Sequence, residues 1–326
     1  MVQETVPVED PVHDGERSNR CVFPKVPLLY PYAGQYYYVR HCYDEYYRLV
    51  EELVLVSKKK LVTVTGTPGI GKSVFYASFY DRFREAHPTT WIIAASYGNQ
   101  RMEMATIARG ERADMYRFDL TTRVEDAMAK AELAGEDVLF LCDGSPLNAK
   151  GGYPTVVFTS PDERWLRSAA KYLGTVYMPL WTREELHEAA EVLNLPVEGE
   201  TIDERFDTFG DVAHQCLSLT GEGPDLQLES IKKAIASILN PSDLYTLLMA
   251  SNCDDTCLAL IHDEPCGDGK WTVSHFASTY VANELMKRLQ HSSPRGRATL
   301  RALIYEDPRF VPLRQWFLDL EARWTK

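Results

Sequence analysis

The stretch that decides the fold is LVTVTGTPGIGKSVFYASFYDRF, residues 61–83. Its first five residues, Leu61–Thr65, are apolar or β-branched and predict a β-strand. Residues 74–83 carry apolar and aromatic side chains at helical spacing and predict a helix. The turn between them is rich in glycine and proline and ends at Lys72. The stretch therefore places one lysine between a buried strand and the start of a helix.

This turn fits the pattern G-x-x-x-x-G-K-[ST] at every position, from Gly66 to Ser73. Glycines let the backbone approach a triphosphate closely, so that N–H groups and a helix N-terminus face its oxygens. Lys72 would then place a positive charge on the β and γ phosphates, and the Ser73 hydroxyl would bind Mg²⁺. The pattern arises by chance in roughly one chain of this length in a hundred. The alternative is a glycine-rich turn that binds nothing.

An acidic partner for the lysine is expected at the end of another buried strand. The run Val138–Asp143 supplies it, because a carboxylate at a strand tip can hold Mg²⁺ directly or through water. The alternative is an apolar strand that simply ends at an aspartate in a turn. Lys72 and Asp143 are therefore the predicted catalytic residues, and Ser73 and Asp143 the predicted Mg²⁺ ligands.

A third predicted strand, in the run TVVFTSP, ends at Thr159 and Ser160. Either hydroxyl could sense a γ-phosphate or hold the attacking water, and a helix cap is the open alternative. The residues predicted to contact the nucleotide are Gly66, Thr67, Gly69, Ile70, Gly71, Lys72, Ser73, Val74 and Ser160.

The residues for hydrolysis are less clear than those for binding. Many ATPases with this turn place a glutamate directly after the strand-tip aspartate, where this chain has Gly144 and Ser145. The candidates for orienting the water are Asp143, Asp162 and Glu163. The candidates for an arginine that contacts the γ-phosphate are Arg164, Arg183 and Arg205.

Strands that alternate with helices predict an α/β core over residues 25–181, with a mostly parallel sheet covered by helices. A helix is predicted over residues 36–56, and a hairpin around Gly110. From Thr182 the pattern becomes mostly helical and predicts a second, helical lobe over residues 182–326. Residues 1–24 are polar and predict a flexible tail without a signal peptide.

Composition excludes several classes of protein. Apolar residues make up 45% and charged residues 25%, and no apolar run is long enough to predict a membrane span. The net charge of −12 argues against a nucleic-acid binder, although a nucleic-acid partner stays open. Seven cysteines, an odd number, argue against a disulfide scaffold and favour a reducing, intracellular site of action.

The sequence disfavours a zinc site. Cys253, Cys257, His262 and Cys266 have spacings near those of a zinc knuckle without matching one. The run TCLALIH predicts a strand, in which Cys257 and His262 would project on opposite faces.

Several segments resemble the P-loop NTPase module of the Crinkler effectors and the related retrotransposon hot spot proteins. The segments are YYVRHCY, VTGTPGIGKSVF, LFLCDG, VVFTSP, MPLWTREEL, RFDTFGDVAHQCL and FASTYVANEL. The run GTPGIGKS is shared by many P-loop proteins, whereas the ordered pair PLWTREEL and RF..FG points to this group. The likeness extends from about residue 25 to the end.

The resemblance implies a P-loop NTPase fold with a helical lobe behind the sheet. It assigns nucleotide-binding roles to Gly66, Gly71, Lys72, Ser73 and Asp143. Proteins of this group are secreted effectors that act inside host cells, frequently in the nucleus, and their NTPase is often joined to a nuclease-like domain. The effector leader and header are not seen in this chain, and we expect no separate nuclease domain.

The chain also departs from the group after the FG dipeptide. The group tends to show two glycines and an arginine there, where this chain has Asp211 and His214. If that arginine senses the γ-phosphate, His214 predicts slow hydrolysis.

Two functions from different classes follow. The first is an enzyme that binds Mg·ATP, hydrolyses it and couples its state to the position of the helical lobe. The second is a nucleotide-gated module that binds a protein partner, or a second copy of itself, with little turnover. A nucleic-acid-acting ATPase and a small-molecule phosphotransferase are further alternatives. No N-K-x-D motif for guanine is present.

Overall fold

The computed structural model describes residues 19–147, 152–161, 165–166, 169, 174–249, 255–267, 269 and 271–324. The described fold starts with two short antiparallel strands, β1 (Arg20–Val22) and β2 (Tyr36–Tyr38). It therefore begins before the predicted boundary at residue 25. The helix predicted over residues 36–56 is shorter, since α1 covers Tyr43–Leu55. Three consecutive tyrosines favour an extended segment when a partner strand is available.

A seven-stranded sheet forms the centre of the molecule. Its strands are β3 (Leu61–Thr65), β4 (Trp91–Gly98), β5 (Arg101–Arg109), β6 (Arg112–Tyr116), β7 (Val138–Asp143), β8 (Thr155–Phe158) and β9 (Thr175–Tyr177). They lie in the order β6-β5-β4-β7-β8-β3-β9. Five neighbouring strands of the sheet, β4, β7, β8, β3 and β9, are parallel to one another. The strands β5 and β6 extend the sheet beyond β4, and each is antiparallel to its neighbour. The predicted mostly parallel sheet and the hairpin at Gly110 are confirmed.

Helices cover both faces of this sheet. Alternate residues of one strand enter cores on opposite faces, as Ile92 does on one side and Ile93 on the other. Helices α1 and α2 (Lys72–Ala86) pack on the first face, and α3 (Leu120–Ala134) packs on the second. Burial on both faces explains why the strands read as continuous apolar runs.

The C-terminal part of the chain has a core of its own. Its helices are α4 (Arg183–Val192), α5 (Gly199–Phe209), α6 (Ala213–Cys216), α7 (Glu222–Ser237), α8 (Pro241–Met249), α9 (Asp255–Leu260), α10 (Thr279–Leu289), α11 (Pro294–Glu306) and α12 (Arg314–Trp324), with a 3-10 helix at Pro308–Leu313. The strands β10 (Ile261–Cys266) and β11 (Trp271–Phe276) form a hairpin within it. We call residues 209–324 the C-terminal lobe.

The division between the two cores does not fall at the predicted residue 181. Leu186 of α4 and Ile202 of α5 belong to the first core, together with residues of α1 and α2. The second core starts at Phe209, the last residue of α5. Cys216 of α6 also belongs to the first core. Helices α4, α5 and α6 are thus the layer through which the lobe meets the sheet domain.

The strand predicted in TCLALIH is wrong for most of its length. Residues 255–260 form helix α9, and the strand β10 begins only at Ile261.

Among the residues that the structure describes, no helix is both long and apolar enough to cross a membrane.

Candidate functional site

The turn after β3 is held in a conformation that requires glycine. We call residues 66–71 the glycine loop. Gly66, Gly69 and Gly71 have φ angles of 143°, 83° and 94°, in the region that L-residues rarely adopt. A Cβ on Gly66 would lie 2.8 Å from Cδ1 of Ile70, and one on Gly69 would lie 2.6 Å from Cγ1 of Val212. Both backbone angle and packing therefore exclude larger residues.

Lys72 is the first residue of α2 and lies directly under the loop. Its side chain is buried, with the residue only 7% exposed. The Nζ atom donates to the carbonyl oxygens of Gly66 and Thr67, each at 2.9 Å. Burial lowers the pKa of Lys72 to about 7, and the nearby Asp143 carboxylate opposes this shift. The lysine is thus held by the loop in a position where its charge is sensitive to a nearby anion.

Asp143 lies at the tip of β7 and is joined to the start of α2. The Ser73 hydroxyl donates to Oδ1 of Asp143 at 2.7 Å. The main-chain N–H of Leu29 donates to Oδ2 at 2.9 Å. Burial raises the pKa of the Asp143 carboxyl, whereas the bonds from Leu29 and Ser73 and the charge of Lys72 oppose that rise. Both carboxylate oxygens therefore accept hydrogen bonds that favour the ionised form.

The contact from Leu29 was not foreseen from the sequence. Val26 and Leu28 are buried in the first core, and this anchors the segment across the site. An apolar run before the tyrosines could have indicated a packed segment. Nothing in it indicates which carboxylate its backbone would meet, because every residue except proline carries the same N–H donor.

The C-terminal side of the glycine loop is held by groups that the sequence analysis also missed. The indole Nε1–H of Trp181 donates to the carbonyl of Ile70 at 2.8 Å. The main-chain N–H of His214 donates to the carbonyl of Gly69 at 3.2 Å. Trp181 belongs to the run PLWTREEL and His214 follows the FG dipeptide, so the sequence marked both places without showing this contact.

A buried arginine fixes the segment that carries Trp181. Arg40 is 2% exposed and forms an ion pair with Glu185 of α4 at 2.7 Å. It also donates to the carbonyls of Pro179 and Leu180, at 2.8 and 2.7 Å. Its guanidinium carbon lies 4.3 Å from the centroid of the Trp181 ring. All three nitrogens are engaged, so Arg40 acts here as a structural clamp.

The remaining predicted site residues have mixed outcomes. Thr159 and Ser160 follow β8, which lies between β3 and β7 and is parallel to both. They therefore lie at the same end of the sheet as the glycine loop, where the parallel strands have their carboxyl ends. Thr159 N–H donates to Val64 O at 3.0 Å, and Ser160 is exposed. Val74 is half-buried against the first core. Asp162, Glu163 and Arg164 lie outside the described residues.

The two described arginine candidates are engaged away from the glycine loop. Arg183 donates to Asp203 at 2.9 Å and to Asp207 at 2.6 Å. Arg205 donates to the carbonyls of Cys216 and Ser218. Their bonds tie α4 to α5 and secure the end of α6, which gives each arginine a structural role.

The described candidate zinc ligands lie in α9 and β10. No group of three or more potential ligands is suited to a metal among the residues that the structure describes. His262 Nδ1 instead lies 2.6 Å from Oδ1 of Asp211. Cys257 is a buried residue of α9, and Cys253 lies outside the described residues.

The chain matches no protein-family model, and no curated protein is similar to it at a significant level.

Proposed function

We propose that this chain binds Mg·ATP on the glycine loop and hydrolyses it slowly. One observation carries the proposal. The hydrogen bond between Ser73 Oγ and Asp143 Oδ1, at 2.7 Å, joins the residue after Lys72 to a carboxylate at the tip of β7. A serine and a carboxylate paired beside a lysine and a positive-φ glycine loop make the arrangement that phosphoryl transfer uses.

The backbone at the start of α2 supports phosphate binding. Gly71 occupies the N-cap position of this 15-residue helix in a left-handed conformation, and no side chain caps the helix. The first N–H groups of a helix have no partner within the helix, and the helix dipole favours negative charge there. A phosphate bound on these groups would lie beside the Lys72 ammonium and could draw it from the loop carbonyls.

Ser73, in the first turn of α2, and Asp143, at the tip of β7, fit a magnesium ion. Mg²⁺ prefers hard oxygen ligands and keeps several waters, and Ser73 and Asp143 supply one hydroxyl and one carboxylate. When bound, the ion would supply positive charge to the β and γ phosphate oxygens. The N–H of Leu29 orients the carboxylate and favours its ionised form.

Slow hydrolysis is proposed because the described residues offer few further catalytic groups. Gly144 follows Asp143 where many ATPases have a glutamate, and Arg183 and Arg205 are bound within the structure. Lys72 and the N–H groups of the loop would still stabilise the charge that develops on the γ-phosphate.

The second candidate is a nucleotide-gated interaction module with little turnover. Its support is the pair of contacts from Trp181 and His214, which hold the glycine loop from the side of α4 and of the C-terminal lobe; we call this the lobe side of the loop. The resemblance to the Crinkler and retrotransposon hot spot proteins supports both candidates, and would place the activity inside a host cell. A protein partner or self-association belongs to this second candidate.

Phosphate release from Mg·ATP tests the proposal in the wild type, Lys72→Ala and Asp143→Ala, with nucleotide binding measured for each. We expect turnover in the wild type that is lost in both variants. Saturable binding that depends on Lys72, without phosphate release, would leave the nucleotide-gated module. No Lys72-dependent binding would overturn both candidates.

A further inference from the structure

Two neighbouring carbonyl groups of the glycine loop accept hydrogen bonds from outside the loop. Trp181 Nε1–H holds the carbonyl of Ile70, and the main-chain N–H of His214 holds that of Gly69. A peptide unit is planar and trans, so its C=O and the N–H of the next residue point in opposite directions. The two contacts therefore direct the N–H groups of Ile70 and Gly71 away from Trp181 and His214.

We infer that Trp181 is a positioning residue for phosphate recognition, and that the C-terminal lobe sets phosphate affinity through it and His214. The inference rests on the proposed nucleotide site. The N–H groups of Ile70 and Gly71 are donors that a phosphate on the glycine loop would meet. The direction of these two N–H groups is set by the Trp181 indole and the His214 main chain, which lie outside the glycine loop. Orienting donors before a ligand arrives reduces the ordering cost of binding.

The Trp181 side chain is held firmly enough to do this. It is 7% exposed and contacts both the Arg40 guanidinium and the Tyr38 ring, whose centroid is 5.9 Å from its own. Arg40 also binds the carbonyls of the two residues that precede the tryptophan. The indole therefore cannot shift without disturbing the buried ion pair of Arg40 and Glu185.

The same contacts lead into the C-terminal lobe. We call residues 210–215 the bridging segment. The main-chain N–H of Trp181 donates to the carbonyl of Asp211 at 3.2 Å. The Asp211 carboxylate lies 2.6 Å from His262 and 3.7 Å from His275, which face each other across the β10 and β11 hairpin. The bridging segment thus contacts the glycine loop at one end and the hairpin at the other.

A buried tryptophan generally needs an acceptor for its N–H. The alternative explanation of this contact is therefore that the carbonyl of Ile70 only satisfies the indole donor. Two features favour the positioning role. The neighbouring carbonyl of Gly69 is held by an independent donor, His214, so the two contacts act on consecutive peptide units. Val212 packs so closely on Gly69 that a Cβ there would lie 2.6 Å from it. The bridging segment is therefore shaped to the loop.

Trp181→Phe tests the role of the indole N–H, because it keeps an aromatic ring for Arg40 and removes the donor. Trp316→Phe is the matched control, since Trp316 Nε1–H donates to Ala282 O, also at 2.8 Å, within the second core. Binding of inorganic triphosphate and of Mg·ATP is measured by calorimetry. We expect Trp181→Phe to raise both dissociation constants about five- to tenfold, the loss of one hydrogen bond's contribution. Trp316→Phe should change them less than about twofold.

Two further readouts separate positioning from a general loss of stability. The melting temperatures of the two variants without ligand should fall by similar amounts. The change in tryptophan emission on adding triphosphate should be lost in Trp181→Phe and kept in Trp316→Phe. Unchanged affinity in Trp181→Phe, or an equal loss of affinity in both variants, would overturn the positioning role.

Asp211→Ala tests the control by the lobe, because it releases the bridging segment from His262 outside the loop. We expect weaker triphosphate binding, and a smaller effect of Trp181→Phe in the Asp211→Ala background than in the wild type. Additive effects would overturn lobe control. If Trp181→Phe does not fold, weaker binding in Asp211→Ala supports the inference and unchanged binding overturns it.

Different measurements test the proposed function and this inference. Wild-type binding that depends on Lys72 decides the proposed site, and the tryptophan and aspartate variants then decide the inference. Binding without hydrolysis would remove the enzymatic part of the proposal and still support the inference. A wild type that binds neither triphosphate nor ATP would overturn both.

Discussion

On the sheet side of the glycine loop, the contacts centre on charged side chains, whereas on the lobe side they centre on main-chain carbonyls. Lys72, Ser73 and Asp143 form the first set and lie together at the start of α2 and the tip of β7, with Lys72 and Asp143 buried and Ser73 half-buried. Trp181 and His214 form the second set and hold the loop by its own peptide groups. In the function proposed above, the sheet side would supply charge to the phosphates, and the lobe side would set the direction in which the loop presents its N–H donors.

The largest effect that we expect on this comparison comes from titrating the sheet side. The pKa of Lys72 is about 7, well below the ordinary value for lysine, so the side chain loses its proton as the pH rises above neutrality. If phosphate binding requires the ammonium, affinity for ATP should fall about 50-fold between pH 7 and pH 9, since the charged fraction falls by that factor.

Proton uptake on binding measures the same effect. At pH 8 about nine-tenths of the Lys72 side chains would be neutral before binding. Calorimetry in two buffers of different ionisation enthalpy should then report about 0.9 proton taken up per ATP bound. Uptake below about 0.2 proton would show that Lys72 does not change its charge on binding, and would contradict this prediction.

How much the sequence could predict follows the same division. The sequence could predict that Lys72, Ser73 and Asp143 lie close together, because the glycine-rich pattern fixes the first two and the tips of parallel strands meet at one end of the sheet. The continuous apolar runs could predict the parallel sheet for the equally general reason that both of its faces are covered.

The main-chain contacts on both sides of the loop could not be predicted, because main-chain partners have no sequence signature. Leu29 and His214 act through N–H groups that any non-proline residue would supply. Trp181 could be recognised as an unusual residue, but its partner depends on how α4 packs against the loop. Tyr36–Tyr38 and residues 255–260 were misassigned because tertiary partners overrode local preference.

A smaller effect is expected from a main-chain contact on the sheet side. Leu29→Pro removes the N–H that donates to Asp143 Oδ2, whereas Leu29→Ala keeps it and removes only the half-buried side chain. A hydrogen bond to an ionised group contributes about 1.5–3 kcal/mol, so the Mg²⁺ concentration for half-maximal ATP turnover should rise at least about tenfold in Leu29→Pro.

The alanine variant serves as the control for this change, with thermal unfolding measured for both. We expect Leu29→Ala to keep the magnesium dependence of the wild type. Equal magnesium dependence in the proline and alanine variants would show that Ser73 alone is enough to orient Asp143. The sheet side would then depend on side chains only, and its contrast with the lobe side would become sharper.

The smallest effect is expected at Arg183, where a large effect would contradict the contrast between the two sides of the loop. This arginine is about a third exposed and is bound to Asp203 and Asp207 across α4 and α5. Exposed ion pairs of this kind contribute about 0–1 kcal/mol, so Arg183→Gln should change ATP turnover less than about twofold and leave affinity unaltered. Arg205→Gln, which removes donors to the carbonyls of Cys216 and Ser218, is a comparable substitution near the end of α6.

A fall in turnover of a hundredfold in Arg183→Gln, with binding and melting temperature preserved, would mean that α4 releases its arginine to the γ-phosphate. The lobe side would then supply charge as well as orientation, because no loss of an exposed ion pair accounts for so large a change in rate.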